Sequence, residues 1–243
     1  MKISIITIAY NAAKTIKKTL ASVAAQSYKD IEHILIDGNS TDETLAICAQ
    51  FPHLSKVISE PDKGVYDAFN KGLRLATGEV VGFLNADDTF FNTESVNHIV
   101  RNFDSDTECV FGNLHYVNTS GHIIRKWKSQ PFKTGNFKKY VPAHPTFYCR
   151  RETYNRLGGH DISYKISGDF ELMLRFLEKS QIQSKHIPVN LVKMLTGGIS
   201  NAGGIKSKIT IIQEELRAFR TNDIPVNLFK YALSKAFKVF QYW

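Results

Sequence analysis

The fold is decided by the stretch VVGFLNADD at residues 80–88, in which an apolar run passes directly into polar side chains. Val80–Leu84 is short and uncharged, which is typical of a strand buried on both faces of a parallel sheet. Asp87 and Asp88 follow as adjacent carboxylates, which repel each other unless a cation is near. Hard oxygen ligands suit Mg²⁺ or Mn²⁺. The stretch therefore predicts a buried strand that ends at a divalent-metal site.

A second interpretation gives this stretch a structural role. Asp88 and Asn92 are residue types that cap helices, and a helix could begin near Thr93. Capping accounts for one carboxylate but leaves the other unexplained, so the metal interpretation is favoured.

Upstream of residue 80, strand and helix patterns alternate. Three further strands are predicted at Ile3–Ala9, Ile31–Ile36 and Lys56–Ser59. Helices are predicted after a cap at Asn11, after a Ser-x-x-Glu capping box at residues 40–43 to about Gln50, and over Val65–Ala76. This βαβαβαβ series predicts an α/β fold with a mostly parallel central sheet and flanking helices.

Beyond residue 100 strand and helix patterns no longer alternate regularly. Glu108–Val117 and His122–Lys128 are predicted to form a small antiparallel element, followed by a helix at about Asp169–Lys179 and a strand at about Ile187–Leu195. Residues 1–205 are interpreted as one catalytic domain, and residues 206–243 as a C-terminal helical tail.

Composition narrows the classes of partner. Of the 243 residues, 43% are hydrophobic and 22% are charged, which suits one full core without long disorder. The net charge of +8 favours a polyanionic partner such as a nucleotide, a nucleic acid or an anionic lipid, and a soluble domain that is basic without such a partner is the alternative. Nucleic acid is disfavoured because the basic residues are not interleaved with aromatics on a strand face. Without a signal-peptide or membrane-spanning pattern, a cytoplasmic protein is expected.

Polar side chains follow all four predicted strands of the first 90 residues. They lie at residues 9–11, 37–38, 60–63 and 85–88. Because ligands of open parallel sheets bind beyond the carboxyl ends of the strands, four such ends predict a single site.

These segments carry a family resemblance. In order and spacing, residues 4–11, 36–42, 59–72 and 83–88 resemble family 2 glycosyltransferases, and a later match covers His144 to about Arg175. The resemblance implies the GT-A fold and inverting transfer of a sugar from a nucleotide-diphospho-sugar, with UDP as the expected nucleotide. The implied acceptor is a hydroxyl of a lipid-linked or soluble glycan in cell-surface polysaccharide synthesis, such as that of O-antigen and lipopolysaccharide.

The resemblance also implies roles for individual residues. Asp37 resembles the acid that hydrogen-bonds uracil, although an Asx turn before Gly38 is an alternative role. Further contacts to the nucleotide sugar are implied for Thr7, Tyr10, Asn11, Asp62, Lys63, Asn85, Ala86 and Asp87. A solvated turn is the alternative for Asp62 and Lys63.

The metal motif departs from the family pattern. Asn85-Ala86-Asp87 occupies the place of Asp-x-Asp, with Asn at the first position. Mn²⁺ or Mg²⁺ is the implied cofactor, and either Asp87 or Asp88 is a candidate direct ligand.

The predicted general base is Asp169, in a segment that resembles the family's Glu-Asp motif with Gly168 in place of Glu. A position near a helix N-terminus would keep Asp169 ionised, whereas a simple N-cap is the alternative. Glu171 is a weaker candidate base. His144 is predicted on the acceptor or phosphate side, and Ser200 in a glycine-rich segment that either closes over the diphosphate or is an ordinary connection.

The last 16 residues show a basic amphipathic pattern. Phe229, Leu233, Ala236 and Phe240 recur at helical spacing, with lysines on the other side. This pattern favours a helix in an anionic membrane interface, which would place the protein on the inner face of the cytoplasmic membrane. Packing of the stripe onto the core is the alternative.

The sequence leaves two other functions as alternatives. A sugar nucleotidyltransferase is disfavoured because a glycine-rich phosphate loop is missing after the first strand, where residues 10–13 read Tyr-Asn-Ala-Ala. A non-catalytic nucleotide-binding module is motivated by the departures at Asn85 and Gly168.

Overall fold

The computed structural model describes residues 1–197, 204–227 and 231. One curled sheet runs through this part of the chain, in the order β3-β2-β1-β4-β8-β6-β9-β5, with β7 paired to β6. The strands are β1 (Ile3–Ala9), β2 (Ile31–Asp37), β3 (Leu54–Ser59), β4 (Val80–Phe83), β5 (Thr89–Phe90), β6 (Cys109–Val117), β7 (Ile123–Trp127), β8 (Tyr148–Arg150) and β9 (Ser184–Leu195).

Helices flank this sheet. They are α1 (Ile16–Ala24), α2 (Thr44–Cys48), α3 (Val65–Leu75), α4 (Ser95–Val100), α5 (Arg151–Leu157), α6 (Gly168–Met173) and α7 (Gly204–Thr221). A 3₁₀ turn covers His144–Thr146, and a π-helical turn, Leu174–Lys179, continues α6. The helix expected at about Asp169–Lys179 therefore exists but changes its hydrogen-bond pattern halfway.

The strand directions bring several carboxyl ends to one edge of the sheet. β1 pairs in parallel with β2 and β4, and β2 pairs in parallel with β3. β8 runs antiparallel to both β4 and β6, so β6 points in the same direction as β4. We call the edge at which β1, β2, β4 and β6 end the carboxyl edge. The predicted parallel sheet and the predicted antiparallel hairpin of β6 and β7 are both confirmed.

The core lies on both faces of the sheet. Ile5 and Ile6 are adjacent, point to opposite faces and are both fully buried. Ile6 packs in a cluster with Phe69 of α3. Ile5 belongs to a second cluster on the other face, with Leu191 of β9. Burial on both faces explains why the strands are continuous apolar runs.

Two predicted helix caps are wrong. Asn11 has a φ of 48°, and its side chain accepts a hydrogen bond from the Thr41 N–H, so α1 begins later, at Ile16. Ser40 does not cap α2, because both its hydroxyl and its N–H donate to the carboxylate of Asp37. As a result α2 starts at Thr44 and is one turn shorter than expected.

The first part of the predicted tail packs on the core. Ala218 and Phe219 of α7 are fully buried, and the Phe219 ring meets Phe170 of α6 edge-on at 5.6 Å between centroids. The hydroxyl of Tyr231 donates to Glu215 at 3.1 Å. Apart from Tyr231, the amphipathic pattern of residues 228–243 lies outside the described residues. Among the described helices, none is long and apolar enough to cross a membrane.

Candidate active site

The two aspartates after β4 have different surroundings. Asp88 is fully buried, and its carboxylate accepts hydrogen bonds from the Leu195 N–H at 3.2 Å and from Nδ2 of Asn85 at 3.3 Å. Asp87 lies beside it and is partly exposed. The alternative that Asp88 caps the next helix is wrong, since its carboxylate bonds to β9 instead.

The pair lies in a poorly solvated place, which disfavours the charged form of both carboxyl groups. Burial, together with the charge of Asp87, raises the pKa of Asp88 to about 8. Burial also raises the pKa of Asp87, and the charge of His144 opposes that rise. A cation at Asp87 would relieve this repulsion, so the residues fit a divalent metal.

The protein's own ligands would not enclose such a metal. In the described residues, no three His, Cys, Asp or Glu side chains are grouped so as to hold a metal ion. Mg²⁺ commonly binds through one or two carboxylates plus substrate phosphates. The site therefore suits a metal that arrives with, or is completed by, a phosphorylated substrate.

His144 and Asp169 form an ion pair next to the aspartates. Nδ1 of His144 lies 2.9 Å from Oδ2 of Asp169, and both side chains are partly exposed. Burial alone would raise the pKa of Asp169, but the charge of His144 and its hydrogen bond outweigh this and lower the pKa. Burial would lower the pKa of His144, but Asp169, Asp88 and Asp87 together raise it. The pair thus favours an ionised carboxylate and a protonated imidazole.

This differs in cause from the expectation for Asp169. The helix N-terminus contributes only one backbone hydrogen bond, at Phe170, and His144 has the larger effect. Asp169 is the second residue of α6, after Ser167 and Gly168, and does not cap it. The alternative base, Glu171, is buried against Arg175 at 2.9 Å and Asn222 at 3.1 Å.

Tyr66 explains the departure at Gly168. Its hydroxyl donates to the carbonyl of Ile166 at 2.5 Å and lies 3.4 Å from Oδ1 of Asp169. A Cβ at residue 168 would lie 2.7 Å from the Tyr66 ring. The ring of Tyr66 therefore occupies the space that a larger residue at this position would need.

His160 is a site neighbour that the sequence did not reveal. Its ring is buried, stacks on Tyr66 at 5.5 Å, and lines a cavity of about 20 Å³ together with His144 and Asp169. That volume is close to the space of one water molecule. Burial lowers the pKa of His160 to about 3, so the ring is neutral, and within the described residues its Nδ1 has no hydrogen-bond partner. Only its place after the Gly158-Gly159 pair could have drawn attention to it.

At the end of β2, the carboxylate of Asp37 is bound by the protein itself. Asp37 is fully buried and accepts hydrogen bonds from the Ser40 N–H at 2.9 Å and the Ser59 hydroxyl at 2.7 Å. The side chain of Asp37 therefore stabilises the loop after Gly38, although through the N–H of Ser40 and not in an Asx turn, and a contact with uracil is still a prediction. Tyr10 and Asn11 are exposed at the same edge.

Thr7 is not brought to this edge. Its side chain is fully buried, and its hydroxyl forms a 2.9 Å hydrogen bond with Nε2 of His33. Ala86 is also buried, in a small apolar cluster with Ala9 and Leu35. Any contact of Ala86 with a ligand would involve its backbone.

Asp62 lies beside Gly38, where a Cβ would come within 2.9 Å of its Oδ2. Its Oδ1 forms an ion pair with Nζ of Lys71 at 2.6 Å. The sequence did not identify Lys71, which also lies 2.9 Å from Glu60. Lys63 is exposed, and its N–H donates to Asp67. Ser200, with its predicted lid, lies outside the described residues.

This architecture is that of a GT-A glycosyltransferase, and solved structures share it. Staphylococcus aureus TarS (residues 1–349) superposes with a TM-score of 0.67 over 98% of this chain and 72% of that chain, at 19% identity. The mannosyltransferase PcManGT from Pyrobaculum calidifontis, in complex with GDP-Man and Mn²⁺, gives a TM-score of 0.67 at 20% identity, over 97% of this chain and 68% of that chain.

The sequence comparison identifies the family. The family model described as "Glycosyl transferase family 2" matches residues 4–158, and the chain belongs to this family. A PGL/p-HBAD biosynthesis glycosyltransferase of Mycobacterium bovis is 29% identical over 205 residues, covering 82% of this chain and 78% of that protein. An uncharacterised glycosyltransferase of Mycobacterium tuberculosis is 32% identical over 182 residues, covering 71% and 68%. The protein is a glycosyltransferase.

Proposed function

We propose that this glycosyltransferase inverts the anomeric centre as it moves a sugar from a UDP-sugar to a hydroxyl of a glycan acceptor. The observation that supports this most is the ion pair of His144 and Asp169 beside the aspartates that follow β4. His144 lies close enough to Asp87 and Asp88 to affect the pKa of each. A candidate base and a candidate diphosphate site thus lie next to each other, and we call the place between Asp87, His144 and Asp169 the crevice.

Asp169 is the proposed general base. In-line attack at the anomeric carbon needs a group that takes the proton of the acceptor hydroxyl. Because His144 lowers the pKa of Asp169, the carboxylate is ionised at neutral pH and can accept that proton. Nδ1 of His144 donates a hydrogen bond to Oδ2 of Asp169, which fixes the orientation of the carboxylate. The other carboxylate oxygen, Oδ1, lies next to the Tyr66 hydroxyl.

Asp87 is the proposed metal ligand. Both carboxylate oxygens of Asp88 already accept hydrogen bonds from the protein, whereas Asp87 is the more accessible of the two. A divalent cation such as Mn²⁺ or Mg²⁺, when bound, would neutralise charge on the departing diphosphate. Asp88 would hold β9 against the site through Leu195.

The proposal extends to the nucleotide and to the acceptor. TarS has been solved with UDP and with UDP-GlcNAc, and PcManGT with GDP-Man and Mn²⁺. We propose UDP because the carboxylate of Asp37 can accept a hydrogen bond from the imide N–H of uracil. For this, Ser40 or Ser59 must give up one of the hydrogen bonds that it donates to Asp37. A lipid-linked glycan of the cell surface is the proposed acceptor. The protein would then act in the cytoplasm, at the inner face of the membrane.

The experiment is a UDP-release assay over a panel of nucleotide sugars and lipid-linked acceptors, with and without Mn²⁺. Asp169→Asn should lower turnover about 10²–10⁴-fold, because removing a general base costs that much. Binding of the nucleotide sugar, followed by thermal shift, should be retained. Asp106→Asn, which removes an exposed carboxylate far from the crevice, is the matched control.

The role of Asp87 as metal ligand is tested by a second measurement, the thermal shift caused by Mn²⁺. In Asp87→Asn the additional thermal shift that Mn²⁺ gives in the presence of UDP should disappear. Full turnover in both the Asp87 and the Asp169 variants would overturn the proposal. Release of pyrophosphate from a nucleoside triphosphate and a sugar phosphate would indicate a nucleotidyltransferase, and tight UDP binding without any turnover a non-catalytic module.

A further inference from the structure

The positive charge of the chain is concentrated in one segment. Between Cys109 and Arg150 there are seven Lys or Arg residues and no Asp or Glu, although the whole chain has a net charge of only +8. Six of the seven cations are exposed: Arg125, Lys126, Lys128, Lys133, Lys138 and Lys139. The segment includes the β6–β7 hairpin and the loop that follows it, and we call these residues, 114–139, the basic hairpin.

Two exposed aliphatic side chains lie at the start of β7, directly after the turn of the basic hairpin. Ile123 is 50% exposed and Ile124 is 61% exposed. The pairing register of β6 and β7 shifts between Tyr116 and Val117, so Ile124 is an extra residue of β7 beside Ile123. Behind them Trp127 stacks on Tyr116 at 6.2 Å, and the guanidinium of Arg125 lies over both rings.

The basic hairpin projects from the same edge as the active site. Gly82 of β4 and Val110 of β6 both pair with Tyr148, so they are at the same level of the sheet. β4 ends one residue later, whereas β6 continues to Val117, roughly 20 Å further at about 3.3 Å per residue. Val117 pairs with Leu195, the residue whose N–H binds Asp88.

We infer that the basic hairpin docks the enzyme on an anionic lipid membrane, with Ile123 and Ile124 inserted at the headgroup boundary. Exposed aliphatic side chains, an aromatic pair and surrounding cations are the combination that binds such an interface. Protection of an edge strand by charge would account for the lysines alone. It does not account for two adjacent exposed isoleucines. A soluble polyanion would likewise need only the cations.

Docking in this way gives the crevice a position relative to the bilayer. The carboxyl edge would face the membrane, about one hairpin length above it, where the head of a lipid-linked acceptor could reach Asp169. This consequence rests on the proposed function, but the docking itself does not. It also differs from a membrane contact through residues 228–243, because it uses a different part of the chain.

The test is co-sedimentation of the full chain with vesicles of phosphatidylcholine, with or without phosphatidylglycerol. Binding is expected only with the anionic lipid, and it should weaken with salt. The double variant Ile123→Ser/Ile124→Ser should bind roughly tenfold more weakly or worse, because it removes the apolar contribution. In Lys126→Gln/Lys128→Gln each lost cation should weaken binding about fivefold.

Matched controls come from other exposed sites. Val57→Ser removes a 44% exposed aliphatic side chain from β3, the opposite edge strand of the sheet. Lys17→Gln/Lys18→Gln removes two exposed cations from α1. Val57→Ser should bind vesicles like the parent protein, and Lys17→Gln/Lys18→Gln should bind within about twofold of it. Thermal unfolding and the UDP-induced thermal shift show that each variant is folded.

Three results would overturn the inference. Unchanged vesicle binding in the isoleucine variant would assign docking elsewhere. If the parent protein does not bind vesicles and light scattering shows that the isoleucine variant has a different oligomeric state, the hairpin is an interface between copies of the chain. If the control variants on β3 or α1 weaken vesicle binding as much as the hairpin variants do, binding depends on the total charge and hydrophobicity of the surface and not on the hairpin. Asp169→Asn, by contrast, should lose turnover and still bind vesicles, so the two proposals fail separately.

Discussion

Glu214 of α7 is predicted to be essential for the shape of the active site. Its carboxylate is buried and accepts hydrogen bonds from three consecutive backbone N–H groups: Lys165 at 2.7 Å, Ile166 at 2.9 Å and Ser167 at 2.8 Å. The next elements along the chain are Gly168 and Asp169, and the carbonyl of Ile166 accepts the Tyr66 hydroxyl. The carboxylate therefore fixes the loop from which the candidate base projects.

The size of the effect follows from these contacts. A hydrogen bond to a charged group contributes about 1.5–3 kcal/mol, and breaking a buried charged network by removing one partner costs about 3–5 kcal/mol. Because the three bonds share one carboxylate and water can enter after truncation, we expect Glu214→Ala to lower the free energy of unfolding by about 3–5 kcal/mol. For a domain of this size that corresponds to roughly 6–20 °C in Tm.

Urea unfolding followed by far-UV circular dichroism measures this loss, and UDP release measures its effect on turnover. Glu214→Gln, which keeps an acceptor but loses the charge, should fall between the parent and Glu214→Ala. Gln213→Ala, at an exposed neighbouring position of α7, should stay within about 0.5 kcal/mol of the parent. A loss of less than about 1 kcal/mol in Glu214→Ala would refute the reasoning. It would mean that α7 is separable from the catalytic domain, as the division at residues 205 and 206 supposed.

Two further predictions concern buried groups. Burial lowers the pKa of His33 to about 3, below its value in the unfolded chain, so the unfolded state binds the extra proton and stability should fall as the pH drops from about 6.5 toward 3; His33→Gln should make Tm less dependent on pH in that window, and an unchanged slope would contradict the assignment. Gly168→Ala should displace Tyr66, since the added Cβ would lie 2.7 Å from its ring. It should lower the free energy of unfolding in urea by about 1–3 kcal/mol and should also lower turnover. The double variant Gly168→Ala/Tyr66→Leu should recover part of the stability, and no recovery would show that the ring is not the obstacle.

The parallel half of the fold could be predicted because its signal is local. Strands buried on both faces are apolar runs, and the polar residues after them are forced to the same edge by the parallel direction. Asn85, Asp87 and Asp88 were found in this way, as was Asp37. The position of Asp169 came from the family resemblance and not from any pattern in its own segment.

What the sequence did not reveal depends on contacts between distant segments. His160 joins the site because Gly158 and Gly159 let the chain turn onto α3, where Asn70 binds the backbone of His160 on both sides. Ser40 fails as a helix cap because Asp37, three residues earlier, competes for it. Thr7 is fully buried, and its hydroxyl is engaged in a hydrogen bond with His33 on β2. In each case the hydrogen-bond partner is either distant in the sequence or a nearby residue that competes with the expected helix cap.

The departure of Asn85 from an acidic metal motif follows from the same geometry. Nδ2 of Asn85 donates to Oδ2 of Asp88, which a second carboxylate could not do. Asp88 is fully buried and already raised in pKa by burial and by Asp87, so a third carboxylate here would add repulsion without adding a donor. An amide at residue 85 instead lets Asp88 stay in place and hold Leu195, while Asp87 is left accessible at the crevice. Asn85 and Gly168 are therefore adjustments to particular neighbours, Asp88 and Tyr66. They do not argue that the site has lost its chemistry.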